Sequence, residues 1–224
     1  MKLVTFQSTA AVRDLFAKGY LECDQTKVNL DKTGVAYDWI VEKMNRTIEN
    51  KFNTDYPIWC WVKCYNRICP PKKKGKKVQG FDIKITFTKA EQDVFITDFR
   101  RYSFLLNNMY IPDDRNDKKR FDDKLKKYNI TKDELKAYIR KDNYISHRTD
   151  SPYLEICDEI RKSFDKCITK ESDLLQGCVW RINLDEIETI EILKDDGYTY
   201  GSLNYIRSDG KRFDWIEDYY KKLK

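Results

Sequence analysis

Residues 81–88 read Phe81-Asp82-Ile83-Lys84-Ile85-Thr86-Phe87-Thr88, an unbroken alternation of large apolar and polar side chains. Side chains two apart on a strand share a face, so this octet predicts a strand with one dry and one wet side. Upstream, the stretch from Pro57 to Tyr65 is dense in Trp, Ile and Val and predicts a second strand, with Trp59, Trp61 and Tyr65 opposite Cys60 and Cys64. Residues 3–6 (LVTF) and 94–96 suit short strands, and beyond Cys178 the residues Trp180, Ile182, Leu184, Ile190 and Ile192 continue an alternating pattern.

Helices are predicted between these strands. Ser8 or Thr9 offers an N-cap ahead of Val12, Leu15 and Phe16, and Gly19 offers a stop. From Thr33 to Asn50 the residues Ala36, Trp39, Ile40, Met44 and Ile48 form one apolar stripe. Asp98 can cap a helix carrying Phe99, Tyr102, Leu106 and Met109 before Pro112 ends it. Thr131 and Glu134 have the spacing of a capping box, with Ile130 and Leu135 as its hydrophobic staple, which predicts a helix to Arg140. Ser151 and Pro152 open another, striped by Tyr153, Cys157, Ile160, Phe164 and Cys167. Phe213, Ile216, Tyr220 and Leu223 are again helical in period, after a turn at Ser208-Asp209-Gly210-Lys211. Strands near both ends with helices between them, and no regular βαβ alternation, predict an α+β fold: an antiparallel or mixed sheet core with peripheral helices. One domain over 1–224 is expected, with the strongly charged stretch 113–150 as a helical insertion.

The composition narrows the chemistry. Of 224 residues 36% are charged and 41% hydrophobic, and 15 Tyr, 11 Phe and 5 Trp supply large core pieces that a disordered chain lacks. A single histidine, His147, rules out an HExxH motif or a His-pair metal centre and leaves hydrolase readings without their usual base. No GxGxxG or Walker sequence is present, so ordinary Rossmann and P-loop sites fall away. Seven cysteines, an odd number without close pairing, predict free thiols and a reducing cytoplasm. Cys60, Cys64 and Cys69 offer three sulfurs with no nearby fourth ligand, so buried thiols are expected there and no metal. No apolar run approaches the roughly 18 residues of a membrane span, and no membrane association is expected.

Two features can carry binding. Lys72, Lys73, Lys74, Lys76 and Lys77 put five positive charges in six positions within PPKKKGKK, and the net charge is +6. They are either phosphate contacts for a nucleic acid or the solvated tip of a hairpin. The aromatic row Trp59, Trp61 and Tyr65 is either a stacking platform for a base or nicotinamide, or the core face of its strand.

Several segments, in order, resemble an uncharacterised bacterial family catalogued as domain of unknown function 3841: KLVTFQS, AYDWIVEKM, YPIWCWVK, VFITDFRRYSFLLNNMYIP, KSFDKCI and CVWRINLDEI. The resemblance covers most of residues 1–193, departs from the family over 113–150, and leaves 194–224 as a C-terminal addition. It implies relatives and no reaction. The order of elements is also similar to the layout of small ADP-ribosyltransferase domains: a short first strand, a helix ending in KGYL, an aromatic-rich strand, and a late strand preceded by Gln176. Such domains bind NAD in a cleft between two antiparallel sheets, and a Glu on the late strand stabilises the charge that develops as nicotinamide leaves. The layout implies NAD as cofactor, Gln7 near the first-strand position that contacts the nucleotide, and Trp59, Trp61 and Tyr65 around the ring. Cys178 stands near the expected Glu, which leaves Asp185 or Glu186 to supply the catalytic carboxylate. The implied function is an ADP-ribosyltransferase-like NAD- or nucleotide-binding domain, in the manner of a bacterial or phage toxin or defence protein. The alternative is a non-enzymatic adaptor that holds nucleic acid or protein through the lysine run.

Overall fold

The computed structural model describes residues 1–28, 30–68, 83–135, 152–193 and 199–204. Its elements in chain order are β1 (Lys2–Gln7), α1 (Thr9–Lys18), β2 (Tyr20–Leu21), α2 (Leu30–Thr47), β3 (Ile58–Cys64), β4 (Ile83–Thr88), β5 (Phe95–Asp98), α3 (Phe99–Leu106), α4 (Arg115–Lys127), α5 (Pro152–Ser163), β6 (Leu174–Val179), β7 (Ile182–Asn183), β8 (Ile187–Leu193) and β9 (Thr199–Asn204). Local hydrogen bonds explain where the helices begin and end. Ser8 Oγ accepts from the Ala11 amide at 3.2 Å, and Gly19, at φ 80°, donates its N–H to the Leu15 carbonyl at 2.8 Å. A left-handed residue at that point favours glycine. Asp98 Oδ1 accepts from the Arg101 amide at 2.9 Å to start α3. The capping box is formed as expected, with Thr131 N to Glu134 Oε2 at 2.8 Å and Glu134 N to Thr131 Oγ1 at 3.2 Å.

The architecture is α+β. Seven antiparallel strands lie in the order β5-β6-β3-β1-β4-β8-β9, and β2 pairs with β7 in a separate two-stranded ribbon. β1 sits between β3 and β4, antiparallel to both, so those two strands run the same way and are not hairpin partners. Lys72, Lys73, Lys74, Lys76 and Lys77, and with them the hairpin tip expected there, lie outside the described residues.

Two apolar clusters hold the sheet. One joins Leu3, Ile58, Cys60, Ile83, Ile85, Phe87 and Val179 to Val12 and Leu15 of α1. The other joins Phe95 and Cys178 to Trp39, Ile40 and Met44 of α2, Tyr102 and Leu105 of α3, and Ile156 and Ile160 of α5. The charged stretch expected as an insertion supplies α4, whose Phe121 and Leu125, with Ile130 and Leu135, enter that second cluster. The strand expected to run on from Cys178 to Leu184 is broken. Trp180 is buried, its indole N–H reaching the Ile48 carbonyl at 3.4 Å, and the chain turns so that Ile182 and Asn183 pair with β2 instead. Among the described residues no helix is long and apolar enough to cross a membrane. The C-terminal helix expected from Phe213 onward and the turn before it lie outside the described residues, as does the end of the helix expected to reach Arg140.

Candidate functional site

β1 keeps register with β4 at six positions, from Lys2 opposite Thr88 to Gln7 opposite Ile83, but pairs with β3 at one, Val4 opposite Trp61. Past that rung the strands are tied by side chains. The buried Thr5 hydroxyl donates to the Trp59 carbonyl at 2.8 Å, and Gln7 Nε2 donates to Thr5 Oγ1 at 2.9 Å. Where the backbones part, a cleft of about 770 Å³ opens. That is within the roughly 300–1,000 Å³ usual for small ligands and cofactors.

Each wall comes from a different element. Phe6 and Gln7 end β1, Ser8 and Ala11 stand at the amino end of α1, and Glu22, Cys23 and Asp24 follow β2. Tyr37 comes from α2, Trp59 from β3, Tyr102 and Leu106 from α3, and Gln176 from β6. The aromatic side is ordered: Tyr37 meets Trp59 edge-on at 6.3 Å between ring centroids, and Trp59 lies tilted on Tyr102 at 4.6 Å. Burial pushes the Tyr37 hydroxyl up, against a hydrogen bond to Trp59 that lowers it. Burial also raises the Tyr102 hydroxyl far above the usual phenol range, and that hydroxyl is buried without a hydrogen-bond partner. Cys23, half-buried, also lines the cleft, its thiol pushed up to about 11 by burial and by the Asp24 carboxylate.

A family model described as Domain of unknown function (DUF3841) matches residues 2–188. The chain belongs to this family. The matched span contains every residue of the DUF3841 cleft and ends within β8. No curated protein and no solved structure matches the chain.

Of the residues expected to form a site, the DUF3841 fold brings Gln7 and Trp59 together in the cleft, with Gln176 beside them. Trp61 points along the same face but packs on Phe99 of α3, centroids 5.0 Å apart. Tyr65 is turned out of the row: its backbone is left-handed at φ 53°, its side chain is exposed, and Arg100 donates to its hydroxyl at 3.1 Å. Asp185 and Glu186 do not line the cleft. They lie in a 3-10 turn over Leu184–Glu186, where Glu186 caps the Asn183 amide at 2.8 Å and pairs with Lys89. Cys178 is fully buried directly opposite Trp59 on the neighbouring strand, and burial, with Cys60 and Cys23 nearby, raises its thiol well above the ordinary value. It is a neutral thiol there. Cys60 and Cys64 are buried free thiols, and Cys69 lies outside the described residues. Glu22, Tyr37 and Tyr102 were not legible as site residues. Tyr37 and Tyr102 occupy helix positions that read as core, and Glu22 is brought in only because β2 pairs with the distant β7.

The unpartnered Tyr102 hydroxyl sets a test. A buried hydroxyl without a partner costs about 1–3 kcal/mol, so Tyr102→Phe should leave the free protein as stable or more stable in urea unfolding. If the hydroxyl serves a ligand in the DUF3841 cleft, the same change should weaken that ligand. A clear loss of stability in the free protein would mean that the hydroxyl has a partner in solution.

Proposed function

We propose that this chain is an ADP-ribosyltransferase-like NAD- or nucleotide-binding domain whose cleft takes the nicotinamide or base between Trp59 and Gln7. The observation that carries the reading is their juxtaposition: residues 52 positions apart in the chain are joined through Thr5 and line one cleft where β1 parts from β3. Aromatic faces suit a planar ring, and Gln7 and Gln176 offer amide groups to its polar edge or to a ribose. The amino end of α1, with Ser8 and Ala11 on the rim, carries the partial positive charge that suits a phosphate.

Binding and transfer separate at this site. Transfer would break the bond between ribose C1′ and the nicotinamide nitrogen, with the electron pair leaving on nicotinamide, and it calls for a fixed negative charge near C1′. The two residues that the layout offers do not supply it, since Cys178 is a neutral thiol and Glu186 lies outside the cleft, paired with Lys89, while the carboxylates that line the cleft are Glu22 and Asp24; the ring-binding half of the reading has the stronger support. Titration of the full chain with NAD, followed by tryptophan fluorescence and calorimetry, should show saturable binding. Trp59→Ala, with its fold checked by circular dichroism, should weaken it about 10- to 100-fold, the usual cost of losing one stacking ring. Absence of NAD binding by the parent chain at millimolar ligand would sink the reading. Incubation with labelled NAD, assayed for nicotinamide release, separates a binder from an enzyme.

A further inference from the structure

A second pocket, of about 190 Å³, lies among α3, α4 and α5 and shares no lining residue with the cleft between β1 and β3. Its floor is apolar: Phe121, Leu125, Leu135 and Ile160 line it and are all buried. Its lips are Phe104 and Met109, two of the four large apolar side chains that stand exposed among the described residues. Two such side chains on one pocket mark a binding surface, where single scattered ones would mark nothing.

The chain that follows α3 is pinned beside this space. The Met109 amide donates to the Phe104 carbonyl at 2.9 Å, the Ile111 amide donates to Ser163 Oγ at 3.0 Å, and Tyr110 stacks on Phe121 with ring centroids 4.1 Å apart. The Tyr110 hydroxyl is engaged by Asp117 and Arg120, and Asp122 is paired with Lys132 at 3.0 Å. Two polar groups of the lining are left over. Asn108 is only 6% exposed, yet its carboxamide makes no hydrogen bond to a described residue and, unlike the hydroxyls of Thr97 and Tyr102, is not sealed from open space. An amide so nearly buried calls for a partner. Lys118 is exposed and has no ion-pair partner among the described residues.

We infer that this pocket takes a single aromatic ring bearing a carboxylate. An apolar cavity of about 150 Å³ holds one benzene ring, so the volume here suits one ring and not a dinucleotide. The Asn108 carboxamide and the Lys118 ammonium both offer N–H donors, and one carboxylate can accept from both. The charge agrees: Asp122 and Lys132 offset each other, and Lys118 leaves the lining with a net positive charge.

Benzoate is the probe, with benzyl alcohol as its neutral counterpart, titrated into the full chain labelled with carbon-13 on its methionine methyl groups. Of the three methionines only Met109 lines the pocket. Saturable binding should therefore move the Met109 signal, assigned through Met109→Leu, and leave that of Met1 in place. Lys118→Gln should weaken benzoate about threefold, the range of an exposed ion pair, and leave benzyl alcohol unchanged. Asn108→Gly keeps the left-handed backbone at φ 52° and should weaken benzoate about tenfold by removing a hydrogen bond to a charged group. Trp59→Ala should change nothing, because that ring belongs to the cleft. Loss of benzoate binding in Trp59→Ala would place the ring in the cleft and overturn the inference. So would a Met109 signal unmoved at about 10 mM benzoate, where even a modestly efficient ligand of this size is bound, or undiminished affinity in Lys118→Gln. A Met109 signal that moves on dilution of the free chain but not with benzoate would give the pocket to a second copy, and would overturn it equally. Should Asn108→Gly fail to fold, the Met109 shift and Lys118→Gln decide.

Discussion

Lys89→Met should lower the unfolding free energy by about 3 kcal/mol, the low end of what is lost when one partner of a buried ion pair is removed. The side chain of Lys89 is 8% exposed, and its ammonium donates to Glu186 Oε1 and Oε2 at 2.7 and 2.9 Å and to the Arg181 carbonyl at 3.0 Å. Methionine matches the stem in length but strands the Glu186 carboxylate, which is 20% exposed, without its counter-charge. Much of the loss belongs to that stranded charge. Lys89→Met combined with Glu186→Gln should therefore be more stable than Lys89→Met alone, since the amide oxygen can still cap the Asn183 amide. The urea midpoint at constant m-value measures both. A loss below about 0.5 kcal/mol for the single variant, the range of an ordinary surface change, would show that the pair is solvated. NAD titration of Lys89→Met should match the parent, because neither partner lines the cleft.

Gly177→Val should cost about 3 kcal/mol and Gly177→Ala about 2, both by overpacking. Gly177 lies in β6 between Cys60 of β3 and Ile96 of β5, and a Cβ there would stand 2.9 Å from Val94 Cγ1 and 3.1 Å from both Cys60 Sγ and Val62 Cγ2. Three neighbours from two segments cannot all give way at once in a close-packed interior. Trimming the nearest one tests this cause: in a Val94→Ala background, Gly177→Ala should cost less than in the parent. Additive losses would place the strain in the backbone instead.

What could be read from the sequence was local. Caps at Ser8, Asp98 and Thr131 involve atoms three residues apart, and the Ile83–Phe87 alternation needs only the pleat of a strand. A helical insertion was expected over 113–150 and α4 lies within it, capped by Asp114, which accepts from the Asn116 and Asp117 amides at 2.8 Å each, but its packing into the core was not legible because its buried pair Phe121 and Leu125 is surrounded by charge. Position within the sheet was not legible at all. Nothing near residues 2–7 says that they will lie between 58–64 and 83–88, since that choice is made by packing across tens of residues. The site divides in the same way: Trp59 was singled out from the alternation of its own strand and Gln7 only through the ADP-ribosyltransferase-like layout, but Glu22 and Tyr102 reach the cleft through contacts made elsewhere. Tyr65 fell out of its row because one positive φ turns it outward.

The single rung between Val4 and Trp61 divides the sheet into two leaves, β5-β6-β3 on one side and β1-β4-β8-β9 on the other. Each leaf is laced along its own ladders, while at the seam a threonine hydroxyl replaces the missing backbone rungs. Anything seated in the cleft touches both leaves at once, Gln7 on one and Trp59 with Gln176 on the other. The spacing of β1 and β3 at this seam therefore sets the width of the opening that a ligand must fit, ahead of any contact that recognises a particular chemical group.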